Sequence, residues 1–395
     1  MIPRKKILYL GLIFMVLSCS KDSLEDKAED LILAVEEEEI SINNEPLFSF
    51  EAIQTLNWLE SMQFQNGLME SASETNFVSL YDNSLAAIGF MATGQFSKAE
   101  KILDYFNARM DSELQSGSGG FYQFRDGLGE NKQTIWLGDN AWLLIAINNY
   151  KELTGNSKYD KLGDALEKWI RSLQDEDGGL WGGRREDGSQ IHKITEGIIT
   201  AYNAVKGFDS FHEGILGYLK AQRWNENDKL LVAWPDNSSY YYAMDLHSLG
   251  YMVFNDFPLD ALSKADRYMT SKISTVTGQQ ITGYCFDEDK DVIWLEGTAQ
   301  MALAFLQSGN TIRYNEIITE LELAAVASGD KISSLGLPYT ANTGSCYGAV
   351  PLWEHADLTP ALSSSVWYLF NLIAYNPLKV GRKSSVPESL KFWLK

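Results

Sequence analysis

The chain has 395 residues, 45% of them hydrophobic and 12% aromatic, which excludes a disordered polypeptide and leaves ample material for one large buried core. Its 53 acidic residues against 33 basic ones give a net charge of −20. Nucleic acid and anionic lipid surfaces are excluded as partners by this balance, since both are held by basic patches, and a neutral ligand is favoured.

Arg4, Lys5 and Lys6 precede an apolar run, ILYLGLIFMVL, that is too short to span a bilayer as a mature helix and has the shape of a secretory signal. The VLSC that follows resembles the lipobox of bacterial lipoproteins. That resemblance implies loss of residues 1–18 and lipidation of Cys19, and Ser20 in place of Asp after the cysteine implies the outer membrane. Between positions 22 and 46 ten acidic residues stand against one Lys, so residues 19–47 read as a self-repelling, extended tether between lipid and domain.

From residue 48 onward one pattern recurs: a carboxylate at the head of a helix that is apolar nearly all round. It is seen in YDNSLAAIGFMATG (Asp82), WLGDNAWLLIAINNY (Asp139), ITEGIITAYNAVKG (Glu196), MDLHSLGYMVF (Asp245) and WLEGTAQMALAFLQSG (Glu296). A sixth copy, DLTPALSSSVWYLFNLI, carries Asp357 at its head and Glu354 just before it. The heads are roughly fifty to sixty residues apart, an internal repeat. A helix without a wet face belongs inside the molecule.

Between these segments lie helices with one polar side. In SKYDKLGDALEKWIRSLQ, Leu162, Leu166, Trp169, Ile170 and Leu173 fall at helical spacing while Asp164, Lys168 and Arg171 face elsewhere. The others are expected at 50–63, 97–110, 212–224, 259–273 and 312–327. Six all-apolar and six half-apolar helices in alternation predict an all-α double ring, an (α/α)6 toroid, over residues 48–376, with 377–395 as a C-terminal tail.

Loop lengths place the function. Connections from an inner to the next outer helix are short, such as TGQF, TGNS, NDFP and SGNT, whereas those leading to inner helices run long: 64–79, 111–137, 174–193, 225–242, 274–293 and 328–358. In an up-and-down ring the long loops emerge on one end, together with the carboxylate heads, and long loops over a rigid scaffold carry function. They are Gly-rich and aromatic, as in DGGLWGGRREDG. Trp136, Trp181, Trp234, Trp294 and Trp353 are candidates to stack on sugar rings, with Asp245 and Arg125 to bind hydroxyls.

Other chemistry is weak. Cys285 and Cys346 read as core or loop thiols, and the four histidines lack zinc-site spacing. Asp287, Asp289 and Asp291 lack the Gly and Glu of a calcium loop and read as a solvated acidic loop. No metal or cofactor is expected.

The repeat architecture and the Gly-aromatic loops before the inner helices resemble the six-hairpin glycosidase superfamily, over residues 48–376. The resemblance implies a sugar-acting enzyme working by paired carboxyl groups, although lyases and epimerases share this toroid. A glycosidase needs one acid to protonate the leaving oxygen and one carboxylate to activate water or attack. Matching the glucoamylase-like members residue by residue implies Glu196 as acid and Glu354 as base. Two further pairs lie on opposed helices, Asp139 with Glu296 and Asp82 with Asp245. The expectation is a cell-envelope glycoside hydrolase acting with inversion on a neutral glycan. A polysaccharide lyase, using Arg125, Arg184 and Arg185, and a non-catalytic glycan-binding lipoprotein are the alternatives. Helix capping is the competing role for Asp82 and Asp139.

Overall fold

The computed structural model describes residues 48–395 apart from 118, 329 and 330; the signal peptide, Cys19 and the tether lie outside the described residues. Among the described residues there are twelve α-helices: α1 (Phe50–Ser61), α2 (Leu80–Ala92), α3 (Phe96–Asn107), α4 (Leu137–Thr154), α5 (Asp160–Ser172), α6 (Thr195–Ala204), α7 (Ser210–Gln222), α8 (Asp245–Val253), α9 (Asp260–Lys264), α10 (Leu295–Gln307), α11 (Thr311–Ala324) and α12 (Leu362–Leu372). Each even-numbered helix packs on the next and α12 returns to α2, so the six close into a ring, while the odd-numbered helices lie against its outside. The fold is an (α/α)6 toroid.

Composition decides which ring a helix joins. Every residue of α4 from Leu137 to Tyr150 is buried, whereas α5 buries Leu162, Leu166, Trp169 and Ile170 and exposes Lys161, Asp164 and Lys168. Glycines let the inner helices approach. A Cβ at Gly197 of α6 would stand 3.4 Å from the Gly138 nitrogen of α4.

The long loops carry antiparallel strands. Phe77–Ser79 (β1), Tyr122–Asp126 (β2), Gln133–Trp136 (β3), Gly183–Arg184 (β4) and Gln190–Ile191 (β5) form one sheet in that order, and β1 and β3 run directly into α2 and α4. The residue after each of the first two acids fixes its loop. Asn83 exchanges hydrogen bonds with the Met69 main chain (2.8 and 3.1 Å), and Asn140 does the same with Phe121 (2.8 and 2.9 Å). Both asparagines are fully buried, so an unpaired amide there would be costly.

Three elements depart from the sequence reading. The fifth outer helix, expected over 259–273, ends as α9 at Lys264, and Met269–Ile273 instead pairs with Gln280–Tyr284 as a hairpin. Its β-branched Thr270 and Ile273, the Ser271–Thr282 hydroxyl pair (2.8 Å) and the turn at Gly278 (φ 67°) suit a strand better than a helix. The sixth inner helix begins at Leu362, after Pro360, so Asp357 is not at its head. Residues 377–395 belong to the same compact unit, 48–395, with Phe392 and Trp393 buried and Trp393 packed 4.9 Å from Phe254.

Candidate active site

Five of the six heads meet. Asp82, Asp139, Asp245 and Glu296 are buried, and Glu196 keeps partial solvent access. They stand in the first turns of α2, α4, α8, α10 and α6, where the helix N-terminus offers partial positive charge to an acid. Their charges are felt around the ring: Asp139 by Glu196 and Asp82, Asp245 by Glu196, and Glu296 by Asp82 and Asp245. In α12 the matching place is taken by Ser363, whose hydroxyl reaches Glu296. Capping does not explain these acids: none of the helices α4, α6, α8 and α10 has a side-chain cap, and the cap of α2 is Ser79.

Burial governs their ionisation. Removing a carboxylate from water disfavours its charge, and all five are raised for this reason first. Asp82 and Asp245 are pushed up to about 7 and Glu296 to about 8. Asp139 is raised well above the carboxylate range by burial and then by Glu196. For Glu196, hydrogen bonds from Thr200 (2.8 Å) and Trp142 oppose the rise.

Tyr81 ties the cluster together. Its hydroxyl donates to Glu296 Oε1 (2.6 Å) and accepts from Trp367 Nε1 (2.8 Å), and its main-chain N–H donates to Asp139 Oδ1 (3.3 Å). Gln300 also donates to Glu296 Oε1 (3.1 Å), so both bonds fall on one oxygen. Gln123, on β2, donates to Asp139 Oδ2 (3.3 Å) and links the sheet to the cluster. Trp142 packs edge-on against Tyr81 (5.4 Å) and Trp367 (5.8 Å). The ring of Trp136 borders Glu196, for a Cβ at Gly138 would lie 3.1 Å from Glu196 Oε2 and 3.4 Å from the Trp136 indole.

Other sequence candidates fall elsewhere. Glu354 is not among the heads: its side chain is 89% exposed beside His355 (3.5 Å), because it lies in the surface turn at 354–358 that precedes α12. Asp357 is buried but accepts from Thr275 (2.6 Å) and Thr343 (2.8 Å), tying two loops. Arg125 is buried against Glu113 (3.0 Å) and the Tyr105 hydroxyl (3.2 Å), an internal ion pair that offers no guanidinium to a ligand. Nor is the acidic loop merely solvated. Asp287 accepts from the Gly348 N–H (2.9 Å) and Asp291 from the Ser345 N–H and hydroxyl (2.7 and 2.8 Å), which pins the loop bearing Tyr347.

Of the tryptophans, Trp353 is exposed and lies 4.5 Å from the Tyr339 ring, whereas Trp294 is buried and stacked on Phe286 at 4.5 Å. Trp181 lies under Lys193 (4.9 Å) and Trp234 is stacked on His192 (4.2 Å). Trp294 Nε1 is buried without a hydrogen-bond partner among the described residues, and the Tyr347 hydroxyl approaches Asp245 without a well-formed bond. Such polar atoms beside a cluster of acids suit a hydroxyl-rich ligand.

Sequence reasoning missed Tyr81, Gln123, Trp142, Gln300, Tyr347 and Trp367. Tyr81 adjoins a flagged acid and Gln300 follows Glu296 by one helical turn, so both carried a local signal. Tyr347 and Trp367 carried none, because only closure of the ring brings α12 and the last long loop to the cluster.

No protein-family model matches the sequence. No curated protein matches it either. Solved structures do share its fold. A glycosidase variant in complex with glucose superposes with a TM-score of 0.55 at 14% identity, covering 84% of this chain and 96% of that one. A novel alpha-amylase from Clostridium perfringens gives 0.57 at 11% identity (82% and 97%), and a sugar epimerase from a ruminal bacterium 0.57 at 9% (81% and 97%). At such identities the likeness establishes the toroid.

Proposed function

We propose that this chain is a glycoside hydrolase that cleaves a neutral oligo- or polysaccharide with inversion, Glu296 serving as general acid and Glu196 as general base. The observation that carries the reading is the contrast between these two: Glu296 is buried and pushed to about 8, so it holds its proton at neutral pH, while Glu196, although also raised by burial, keeps partial solvent access. Glu296 gives its proton to the glycosidic oxygen as the bond from that oxygen to the anomeric carbon breaks. A water gives its proton to Glu196 and attacks the anomeric carbon from the opposite face.

The two acids stand on α6 and α10 with α8 between them, so their helices are not nearest neighbours. Helix axes pack about 8–10 Å apart, and this spacing favours the roughly 6.5–9.5 Å gap of inverting pairs over the roughly 5 Å of retaining ones. Asp139, opposed to Glu296 across the ring, is held neutral and hydrogen-bonds substrate hydroxyls, with Asp82 beside it and Asp245 beside Glu296. The solved glycosidase with glucose and the amylase support a saccharide in such a mouth.

Glu296→Gln and Glu196→Gln should each lower kcat by about two to four orders of magnitude while leaving affinity intact. NMR of the first anomer released from a glycan panel reads the stereochemistry. Retention would refute the inverting pair, and interconversion of free sugars without hydrolysis would replace the hydrolase by an epimerase. Anchoring in the outer membrane is proposed from VLSC after the apolar run and from Ser20 behind it. Cys19→Ala should shift the protein from the membrane to the soluble fraction, and unchanged fractionation would end that reading.

A further inference from the structure

A cavity lies at the short-loop end of the toroid, away from the carboxylate heads. Its volume is about 360 Å³, within the roughly 300–1,000 Å³ of small-molecule sites, and it is walled by Asn148, Lys206, Arg382, Lys383, Ser384 and Ser385 among others. No acidic side chain lines it, although the chain carries a net charge of −20. Glu167 and Asp209 act on Lys383, and Asp256 on Arg382, from outside the lining, yet three cations face one cavity without an acid among them, which calls for an account.

Part of that account is structural. Lys383 is buried and donates to the carbonyls of Asn203 (3.2 Å) and Val205, at the end of α6, and Arg382 donates to the Phe254 carbonyl (3.3 Å), just past α8. Both therefore satisfy carbonyls that a helix end leaves open. Gly381 brings this segment close, since a Cβ there would lie 2.3 Å from the Asn203 carbonyl oxygen.

The remaining donors have no such task. Among the described residues, Lys206 makes no ion pair, Arg382 Nε is buried without a partner, and the main-chain N–H groups of Lys206, Lys383, Ser384 and Ser385 make no hydrogen bond. Asn148 is 4% exposed; it donates to the Ala204 carbonyl (2.7 Å) while its Oδ1 is left unpartnered. The wall thus presents many donors and positive charge, with Asn148 Oδ1 as a buried acceptor that no protein group satisfies.

We propose that this cavity binds a small hydroxylated oxyanion, its phosphate or carboxylate group met by Lys206, Arg382 and the main-chain donors, and a hydroxyl of the same molecule given to Asn148 Oδ1. Charge-assisted bonds to guanidinium and ammonium hold the anionic group. Volume and the buried acceptor favour a body larger than a bare ion. The site is separate from the carboxylate mouth, so it would hold an effector or a product fragment without competing for the catalytic groups.

The test is isothermal titration calorimetry at constant ionic strength, with inorganic phosphate and with glucuronate as probes, on the wild-type chain and on Lys206→Ala and Lys206→Glu. Lys206 is exposed, so both variants keep the fold, and their melting temperatures check it. Saturable binding of either probe, weakened about tenfold in Lys206→Ala and lost in Lys206→Glu, is the expected result. Phosphate binding alone would assign a phosphoryl group, and glucuronate binding alone a sugar acid. No saturable heat from either probe, or binding that Lys206→Glu leaves unchanged, would overturn the proposal.

Discussion

The Tyr81 hydroxyl stands 2.6 Å from Glu296 Oε1, and the bond joins the second helix of the chain to the tenth. It favours the ionised form of Glu296 and so works against burial, which pushes this acid up to about 8. Tyr81→Phe should therefore raise the Glu296 pKa further and move the alkaline limb of the kcat/KM profile to higher pH. Trp367 Nε1 loses its acceptor in the same variant. A buried unsatisfied donor costs about 1–3 kcal/mol, so the melting temperature should fall as well. An unshifted alkaline limb would separate Glu296 from the acid role.

Stability should fall as pH rises from about 6.5 to 8. Asp82, Asp245 and Glu296 have folded values of about 7, 7 and 8, above the ordinary carboxylate values of about 4 in the unfolded chain. The folded state therefore binds more protons in this range, and the stability that these groups contribute is lost as pH rises through 7 and 8. Below 6.5 the buried His247, lowered to about 4, acts in the opposite direction, and above 8 Lys383, lowered to about 8, does the same. Thermal melts of Asp82→Asn and Asp245→Asn should show a smaller fall over this window than the parent chain.

Trp353 and Trp294 should respond differently to truncation. Trp353 is 44% exposed, so Trp353→Ala should weaken oligosaccharide affinity by about 1–3 kcal/mol with little change in melting temperature. Trp294 is 4% exposed and stacked on Phe286, so Trp294→Ala should cost about 3–5 kcal/mol of stability. Calorimetric titration beside denaturant unfolding separates the two.

Arg125→Met tests whether this residue serves the ligand or the fold. Breaking a buried ion pair costs about 3–5 kcal/mol, and because Lys132 (3.2 Å) and Arg109 (3.8 Å) also face Glu113, a loss of about 3 kcal/mol is expected. Kinetic constants measured below the melting transition should stay near the parent values. A large rise in KM without loss of stability would return Arg125 to the substrate.

Much of the fold could be read directly from residue patterns. The alternation of helices like 137–150, with no polar face, and helices like 162–173, with one, is a local property, and burial follows it because apolar surface leaves water wherever the ring is assembled. The strand at Met269–Ile273 was less legible, since a short β-branched segment after a true helical turn is decided by its partner strand. The acid heads were visible one by one as carboxylates before apolar runs.

What the sequence determined by itself is therefore the repeat, the two classes of helix and seven candidate acids, five of which the fold brings together. Only the tertiary structure decided which acids come together, because proximity between residues as distant as Tyr81 and Glu296 exists only after the ring closes. It also decided their ionisation, for desolvation is a property of the assembled site and not of a residue type. Glu354 and Glu296 are the same amino acid in similar local sequence, each just after a tryptophan-containing stretch. One ended in solvent at the surface of a loop and the other inside the first turn of a buried helix, and that difference in surroundings gives them different chemistry.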